Sequence, residues 1–121
     1  MEQEYPNITV DAVVFSYIDE KLHVLLIKRN YEPFKDAYAL PGAFIKERES
    51  AEWAVFRMLK DETGLELNYH EQLKTYSNPN RDPRQRIISI AYFALINSTN
   101  RVSILGRWAV FYFFDGKRAA V

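Results

Sequence analysis

The sequence predicts a single α+β domain spanning residues 1–121, and three observations support that prediction. A chain of 121 residues is long enough to bury one modest hydrophobic core. Hydrophobic residues make up 48% of the chain and charged residues 26%, which is ordinary for globular proteins. Stretches rich in β-branched residues lie on both sides of one acidic amphipathic segment, as expected for strands flanking a helix.

The strand predictions rest on β-branched residues and on partial alternation of polar and apolar side chains. A polar turn at 18–21 joins the first two runs into a hairpin, and Pro41-Gly42 ends the third run in a turn followed by a loop. Residues 77–84 form a loop dense in Pro, Asn and charge. The predicted strands occupy residues 8–17, 22–29, 38–40, 67–76 and 86–96.

A helix is predicted over residues 51–63, with Ser50 as its N-cap and Gly64 as the residue that ends it. Its core-facing stripe consists of Ala51, Val55, Met58 and Leu59. Trp53, Phe56 and Lys60 fall on another face, which an isolated surface helix would keep polar.

Near the end of this helix two carboxylates lie four and five residues after an arginine, a spacing that brings them to the same side of the helix as the guanidinium. Arg57, Asp61 and Glu62 would place two carboxylates and a guanidinium in the same space. Such a group can hold a divalent cation against phosphate oxygens, since Mg²⁺ prefers carboxylates together with phosphates. The same charges are also common on ordinary protein surfaces, so they carry little weight alone.

The whole stretch 43–65 resembles the Nudix box, G-x5-E-x7-R-E-U-x-E-E-x-G-U, in which U is an aliphatic residue. Ala43 stands at the first Gly, Met58 stands at a Glu, and Asp61 stands at the next Glu. The resemblance implies an α/β/α sandwich with a mixed sheet, here without room for the usual C-terminal helix. The positions that match directly are Glu49, Arg57, Leu59, Glu62, Gly64 and Leu65.

Nudix proteins hydrolyse nucleoside diphosphates linked to another moiety, with a divalent metal on the box helix. The resemblance implies that Glu49, Arg57 and Glu62 are the catalytic residues, and that Asp61, Glu62 and Glu49 are metal ligands. Met58 replaces a metal-binding carboxylate with a thioether, which is a poor ligand for Mg²⁺. We therefore expect Mg²⁺ or Mn²⁺ to be bound weakly.

A second resemblance covers roughly residues 8–96, which is most of the chain, and is carried by 71–76, 80–84 and 86–92. These stretches are similar to ADP-ribose-related Nudix proteins, including the Nudix-related transcriptional regulators of NAD metabolism. In those regulators a Nudix domain, often with a degenerate box, senses ADP-ribose, and a winged helix binds DNA. No winged helix is predicted here, so no nucleic-acid contact is expected from this chain alone.

An ADP-ribose-like ligand is expected to contact basic residues, because Arg suits bidentate contact with phosphate. Tyr31 or Phe34 could stack on its base. For each Arg, a solvated loop charge is an equally good interpretation. The residues predicted to bind this ligand are Arg29, Phe34, Gly42, Arg81, Arg84 and Arg86, with Lys28 nearby.

Two functions follow from these resemblances, and a third interpretation stays open. In the first, the chain recognises a nucleotide diphosphate such as ADP-ribose, and hydrolysis is weak or lost. In the second, it is a working Mg²⁺-dependent ADP-ribose pyrophosphatase that tolerates Met58. In the third, it is a folded relic that only associates with itself.

The composition of the chain limits the classes of partner that it is expected to bind. The formal net charge is zero, so no global electrostatic attraction favours nucleic acid or an anionic membrane. The chain has no Cys, which excludes disulfides and thiol chemistry. It has no apolar run of membrane-spanning length and no signal peptide at its N-terminus, so we expect a cytoplasmic protein with no membrane partner.

The chain becomes atypical or truncated after about residue 97. Residues 102–114 form a strand-like, very apolar run, and no helix remains to cover it. Leaving so many aromatic side chains exposed would be costly, so a homodimer is expected to bury this strand and the Trp53–Phe56 face. The alternative is a strand that folds back over the helix within one monomer.

Overall fold

The computed structural model describes residues 5–29, 32, 34–64, 69–96 and 109–113. These residues form seven strands and one helix, which confirms the α+β prediction. In chain order the elements are β1 (Asn7–Ile18), β2 (Lys21–Lys28), β3 (Tyr38–Ala39), β4 (Gly42–Phe44), α1 (Ala51–Thr63), β5 (Tyr69–Tyr76), β6 (Ile87–Leu95) and β7 (Ala109–Phe113).

The predicted hairpin is present, with β1 antiparallel to β2 and Ile18 opposite Lys21. Asp19 and Glu20 form its two-residue connection, and both have positive φ values, 52° and 63°. Positive φ at both central residues is the geometry that matches the twist of a tight hairpin.

All seven strands join one mixed sheet whose main order is β3-β2-β1-β6-β5. β1 and β6 run parallel over nine residue pairs, from Asn7 opposite Ile87 to Phe15 opposite Leu95. β1 is longer than its contact with β2, and β4 pairs with the part of β1 near Val10 that β2 leaves open. The sequence predicted a loop after Pro41-Gly42, and the structure forms this short strand there instead.

The helix covers one face of the sheet. Every second residue of β1 from Val10 onward is buried, because successive side chains of a strand point to opposite faces. The predicted stripe of α1 is confirmed, with Val55 and Leu59 at 0% and Met58 at 1% exposure. These side chains join one cluster with Val10, Ala12, Val14, Ile18, Leu25, Ala54, Tyr92, Ala94 and Ile96.

The predicted C-terminal strand is present in part. β7 (Ala109–Phe113) pairs antiparallel with β2, while residues 97–108 and 114–121 lie outside the described residues. The described part of the terminal strand, residues 109–113, pairs with β2, and Trp53 is 67% exposed. In the described part of the chain, no helix is long and apolar enough to cross a membrane.

Candidate functional site

The site is built where the loop after β4 enters α1. The Trp53 backbone N–H donates to Ser50 Oγ at 3.0 Å, which confirms Ser50 as the N-cap. At the other end, Gly64 has φ 72° and donates its N–H to the Lys60 carbonyl at 2.9 Å. A left-handed residue at this place ends a helix at low cost only when it is glycine. These two caps set the bounds of the helix that presents the charged residues.

Arg57 forms a two-pronged ion pair with Glu49, which lies eight residues earlier in the loop. Arg57 Nε donates to Glu49 Oε2 at 2.6 Å, and Nη2 donates to Oε1 at 2.9 Å. Nη2 also donates to the Phe44 carbonyl at 3.0 Å. One guanidinium therefore joins the helix, the loop and the end of β4. Such forked contacts are stronger and more directional than single hydrogen bonds.

The loop itself closes around the same carboxylate. The Lys46 N–H donates to Glu49 Oε1, and the Glu49 N–H donates to the Lys46 carbonyl, both at 3.1 Å. The Arg57 hydrogen bond is the main reason that the pKa of Glu49 falls from its ordinary 4.5 to about 2. The same pair raises the pKa of Arg57. Glu49 therefore stays ionised at neutral pH, with both oxygens engaged.

We expect Arg57→Gln to return the pKa of Glu49 towards 4.5, since the main cause of its low value is removed. A carboxyl with a lower pKa in the folded chain stabilises the fold above the unfolded pKa. That contribution is lost as pH falls through the folded value. For Glu49 the window runs from about 4.5 down to about 2. NMR titration of the carboxyl measures the pKa directly, and an unchanged value in Arg57→Gln would contradict this assignment.

Asp61 and Glu62 lie at the end of the same helix, and both residues are exposed. Partial burial of its carboxyl, and then the neighbouring Asp61 carboxylate, raise the pKa of Glu62. Among the residues described, no group of three or more His, Cys, Asp and Glu is arranged to hold a metal ion. Two carboxylates still suit Mg²⁺, which often takes one or two carboxylates and completes its shell with water and substrate phosphate.

Met58 lies in the core and not on the charged face. Its side chain is 1% exposed and packs in the cluster between α1 and the sheet. Because residues four apart are neighbours on a helix, Met58 lies next to Glu62, whose carboxyl is partly buried. At the position where the Nudix box has a metal-binding Glu, this chain thus has an apolar side chain next to Glu62.

The residues predicted to bind the ligand differ in their exposure to solvent and in their hydrogen-bond partners. Arg84 is held by Asp82 in its own loop, with Nε–Oδ1 3.1 Å and Nη2–Oδ2 2.9 Å, and this contact lowers the pKa of Asp82 to about 2. Arg81 is exposed, and Phe34 is 72% exposed with φ 64°. Arg86 buries its Nη1 without a hydrogen-bond partner.

Arg29 and Gly42 are also predicted to bind the ligand, and the structure describes both of them. The Arg29 N–H donates to the Ala37 carbonyl at 2.8 Å, at the start of the loop that Phe34 belongs to. A Cβ at Gly42 would overlap the Asp11 carboxylate, so only glycine fits there without a shift. Tyr31 lies outside the described residues.

Sequence reasoning missed the contacts of two side chains. The sequence shows His70 only as an isolated histidine within a strand, but the structure gives it two partners on α1. Its Nε2 lies 3.2 Å from Glu52 Oε2, and its ring packs edge-on against Phe56 at 4.8 Å between centroids. Asp11 on β1 accepts a hydrogen bond from the Ser89 hydroxyl on β6. The pairing of β1 with β6 makes the Asp11 contact, and the position of β5 beside α1 makes the His70 contacts. No local sequence pattern contains either arrangement.

Comparison with known proteins gives one family. A family model described as the NUDIX domain matches residues 7–117. An ADP-ribose pyrophosphatase from Methanocaldococcus jannaschii is 43% identical over 88 residues, which cover 73% of this chain and 50% of that protein. The ADPR responsive transcriptional repressor NtrR of Acinetobacter baylyi is 37% identical over 100 residues, which cover 79% of this chain and 40% of that protein. The chain thus spans half or less of the length of these relatives.

Solved structures give the same result. The NUDIX domain of Shewanella oneidensis NrtR, solved in complex with ADP ribose, is similar with a TM-score of 0.80 and 35% identity. The match covers 92% of this chain and 75% of that one. A MutT/nudix family protein from Enterococcus faecalis is similar with a TM-score of 0.80 and 39% identity, over 94% of this chain and 45% of that one.

Proposed function

Because this chain belongs to the Nudix family, we propose that it binds a nucleoside diphosphate linked to another moiety and hydrolyses it slowly or not at all. ADP-ribose is the model ligand. The observation that carries the proposal is Met58, which places a buried thioether where the family's box has a carboxylate. The relatives include both a pyrophosphatase and an ADP-ribose-responsive repressor. Because of Met58, we propose that this chain resembles the repressor in binding its ligand without rapid hydrolysis.

The intact part of the box would still position a diphosphate. Arg57 holds Glu49 and the Phe44 carbonyl in fixed places, so the loop at the start of α1 keeps one shape. A divalent cation bound by Asp61 and Glu62 would polarise the pyrophosphate when present. With two carboxylate ligands, that cation would be held weakly, and the ligand's own phosphates would complete its shell.

A working pyrophosphatase is the second candidate, and Glu62 is the observation that favours it. Burial and Asp61 raise the pKa of Glu62, and a carboxylate with a raised pKa is a better acceptor for a proton from water. Glu62 would then be the catalytic residue that accepts the proton, with Glu49 and Arg57 as positioning residues. Rapid turnover abolished by Glu62→Gln would support this candidate.

Ligand contact by arginine is proposed mainly for Arg86. A guanidinium nitrogen that is buried without a partner has already lost its hydration, so an incoming phosphate oxygen would restore its hydrogen bond. Arg81 is exposed in the preceding loop and can add a second contact. Arg84 is a weaker candidate for phosphate contact because its guanidinium already donates to the Asp82 carboxylate.

We expect Arg86→Ala to weaken ADP-ribose binding about 10- to 100-fold, the loss expected for one charge-assisted hydrogen bond. Isothermal titration calorimetry measures the affinity, and Arg81→Ala should show a smaller loss. Lys60→Ala is the matched control, since it removes an exposed charge from the last turn of α1. Unchanged affinity in both arginine variants would remove these residues from the site.

A homodimer is also part of the proposal, and its best support is now β7. In the part of the chain that is described, β7 pairs with β2 alone, and an open strand edge favours pairing with a second copy. Phe56 is packed against His70 within the chain. On the Trp53–Phe56 face, Trp53 is therefore the main aromatic side chain left exposed for contact with a second copy. Light scattering should give twice the monomer mass, and a monomer at high concentration would contradict this.

A further inference from the structure

A pocket of about 460 Å³ opens beside the first turn of α1, on the outer side of the loop. It is lined by Lys46, Arg48, Glu49, Trp53 and Arg57. Its volume is within the range of about 300–1,000 Å³ that is usual for small-molecule sites. Two of its lining residues, Glu49 and Arg57, are paired with each other and form a fixed wall.

Trp53 is exposed but held in place from one side. Its ring lies 6.0 Å from the Phe56 ring at 83°, an edge-to-face contact. Phe56 in turn lies 4.8 Å from His70 on β5, and His70 is paired with Glu52 on the helix. The Trp53 backbone is anchored by Ser50. The indole is therefore a positioned aromatic surface, and 67% of the residue is open to solvent.

The charge of the pocket is positive. The Glu49 carboxylate is satisfied by Arg57, with the shorter contact at 2.6 Å. Lys46 and Arg48 are exposed, and neither forms an ion pair with any described residue. Two exposed cationic side chains therefore line the same pocket as one aromatic ring.

We propose that this pocket binds a nucleoside monophosphate, with the base stacked on Trp53 and the phosphate between Lys46 and Arg48. Aromatic stacking accepts any base, while Lys and Arg contacts favour a phosphate. An inorganic anion would make no stacking contact with the indole, and an apolar partner would make no ion pair with Lys46 or Arg48. The inference goes beyond the proposed function, because Trp53, Lys46 and Arg48 are not among the residues assigned to the ADP-ribose site and only the paired Glu49 and Arg57 are shared with it.

The test is titration of the unaltered chain with AMP, adenosine and inorganic phosphate in parallel, without divalent cations. The sequence has two Trp, so the Trp53→Phe variant assigns the Trp53 indole N–H resonance by removing one of two signals. AMP should shift this resonance and bind at least about 5-fold more tightly than adenosine or phosphate alone.

Calorimetry on variants then separates the two contacts. Trp53→Ala should weaken AMP binding about 5- to 100-fold, and Trp53→Phe should retain most of it. Lys46→Ala with Arg48→Ala should reduce AMP affinity to that of adenosine, while Lys60→Ala should leave it unchanged. Three results would overturn the proposal: no shift of Trp53 with AMP, equal binding of phosphate alone, or unchanged AMP affinity in Trp53→Ala.

Discussion

Replacing Leu59 with alanine is expected to lower the free energy of unfolding by about 2–5 kcal/mol, the range for deleting a large aliphatic side chain in a core. Leu59 is 0% exposed and packs in the cluster that joins α1 to the sheet. The loss has two parts, because alanine buries less apolar surface on folding than leucine does and because a cavity remains in the folded chain. Urea denaturation monitored by circular dichroism measures it.

Leu73→Ala is the matched control for this variant, since Leu73 is the same residue type but 58% exposed on β5. We expect the control to change the free energy of unfolding by about 0.5 kcal/mol or less. Equal losses in the two variants would show that α1 does not pack on the sheet as described.

Met58→Glu, which restores the family's residue, is expected to destabilise the metal-free chain by about 3–5 kcal/mol, the cost of an uncompensated buried charge. Met58 is 1% exposed, so the new carboxylate would lose its hydration. Burial raises the pKa of such a carboxyl. The variant should therefore be most stable at low pH, where the folded chain keeps the proton, and lose stability as pH rises.

Met58→Gln is the control for that variant, because it has nearly the same shape without a charge. It should cost less, and its stability relative to the unaltered chain should not depend on pH. Mg²⁺ or Mn²⁺ should restore part of the stability of Met58→Glu only, since a cation at Asp61 and Glu62 would compensate the third carboxylate. Full stability of Met58→Glu without divalent cations at neutral pH would contradict the buried position of this side chain.

Local sequence patterns predicted the fold well where they are strong. The caps Ser50 and Gly64 gave the bounds of the helix correctly, because each satisfies backbone groups within a few residues. The partial alternation that predicted the first strand is observed in β1, where buried residues alternate with more exposed ones from Val10 onward. The strand pairing confirms the predicted mixed sheet, and the similar Nudix structures confirm the predicted fold class.

Features that depend on distant pairing could not be predicted. The strand Gly42–Phe44 is too short to show alternation, and it exists because β1 extends beyond its contact with β2. His70 meets Glu52 only because the sheet brings β5 alongside α1. The sequence showed both Arg57 and Glu49, but their forked contact depends on how the loop closes.

The central claim is that a buried thioether at Met58 leaves a diphosphate-binding domain with little or no hydrolysis. The most direct test is AMP release from ADP-ribose with Mg²⁺ or Mn²⁺, measured beside calorimetric binding of ADP-ribose. The unaltered chain should bind ADP-ribose and release AMP slowly or not at all, and Met58→Glu with saturating metal should release it faster. Rapid AMP release by the unaltered chain, abolished by Glu62→Gln, would contradict the claim and identify a working pyrophosphatase.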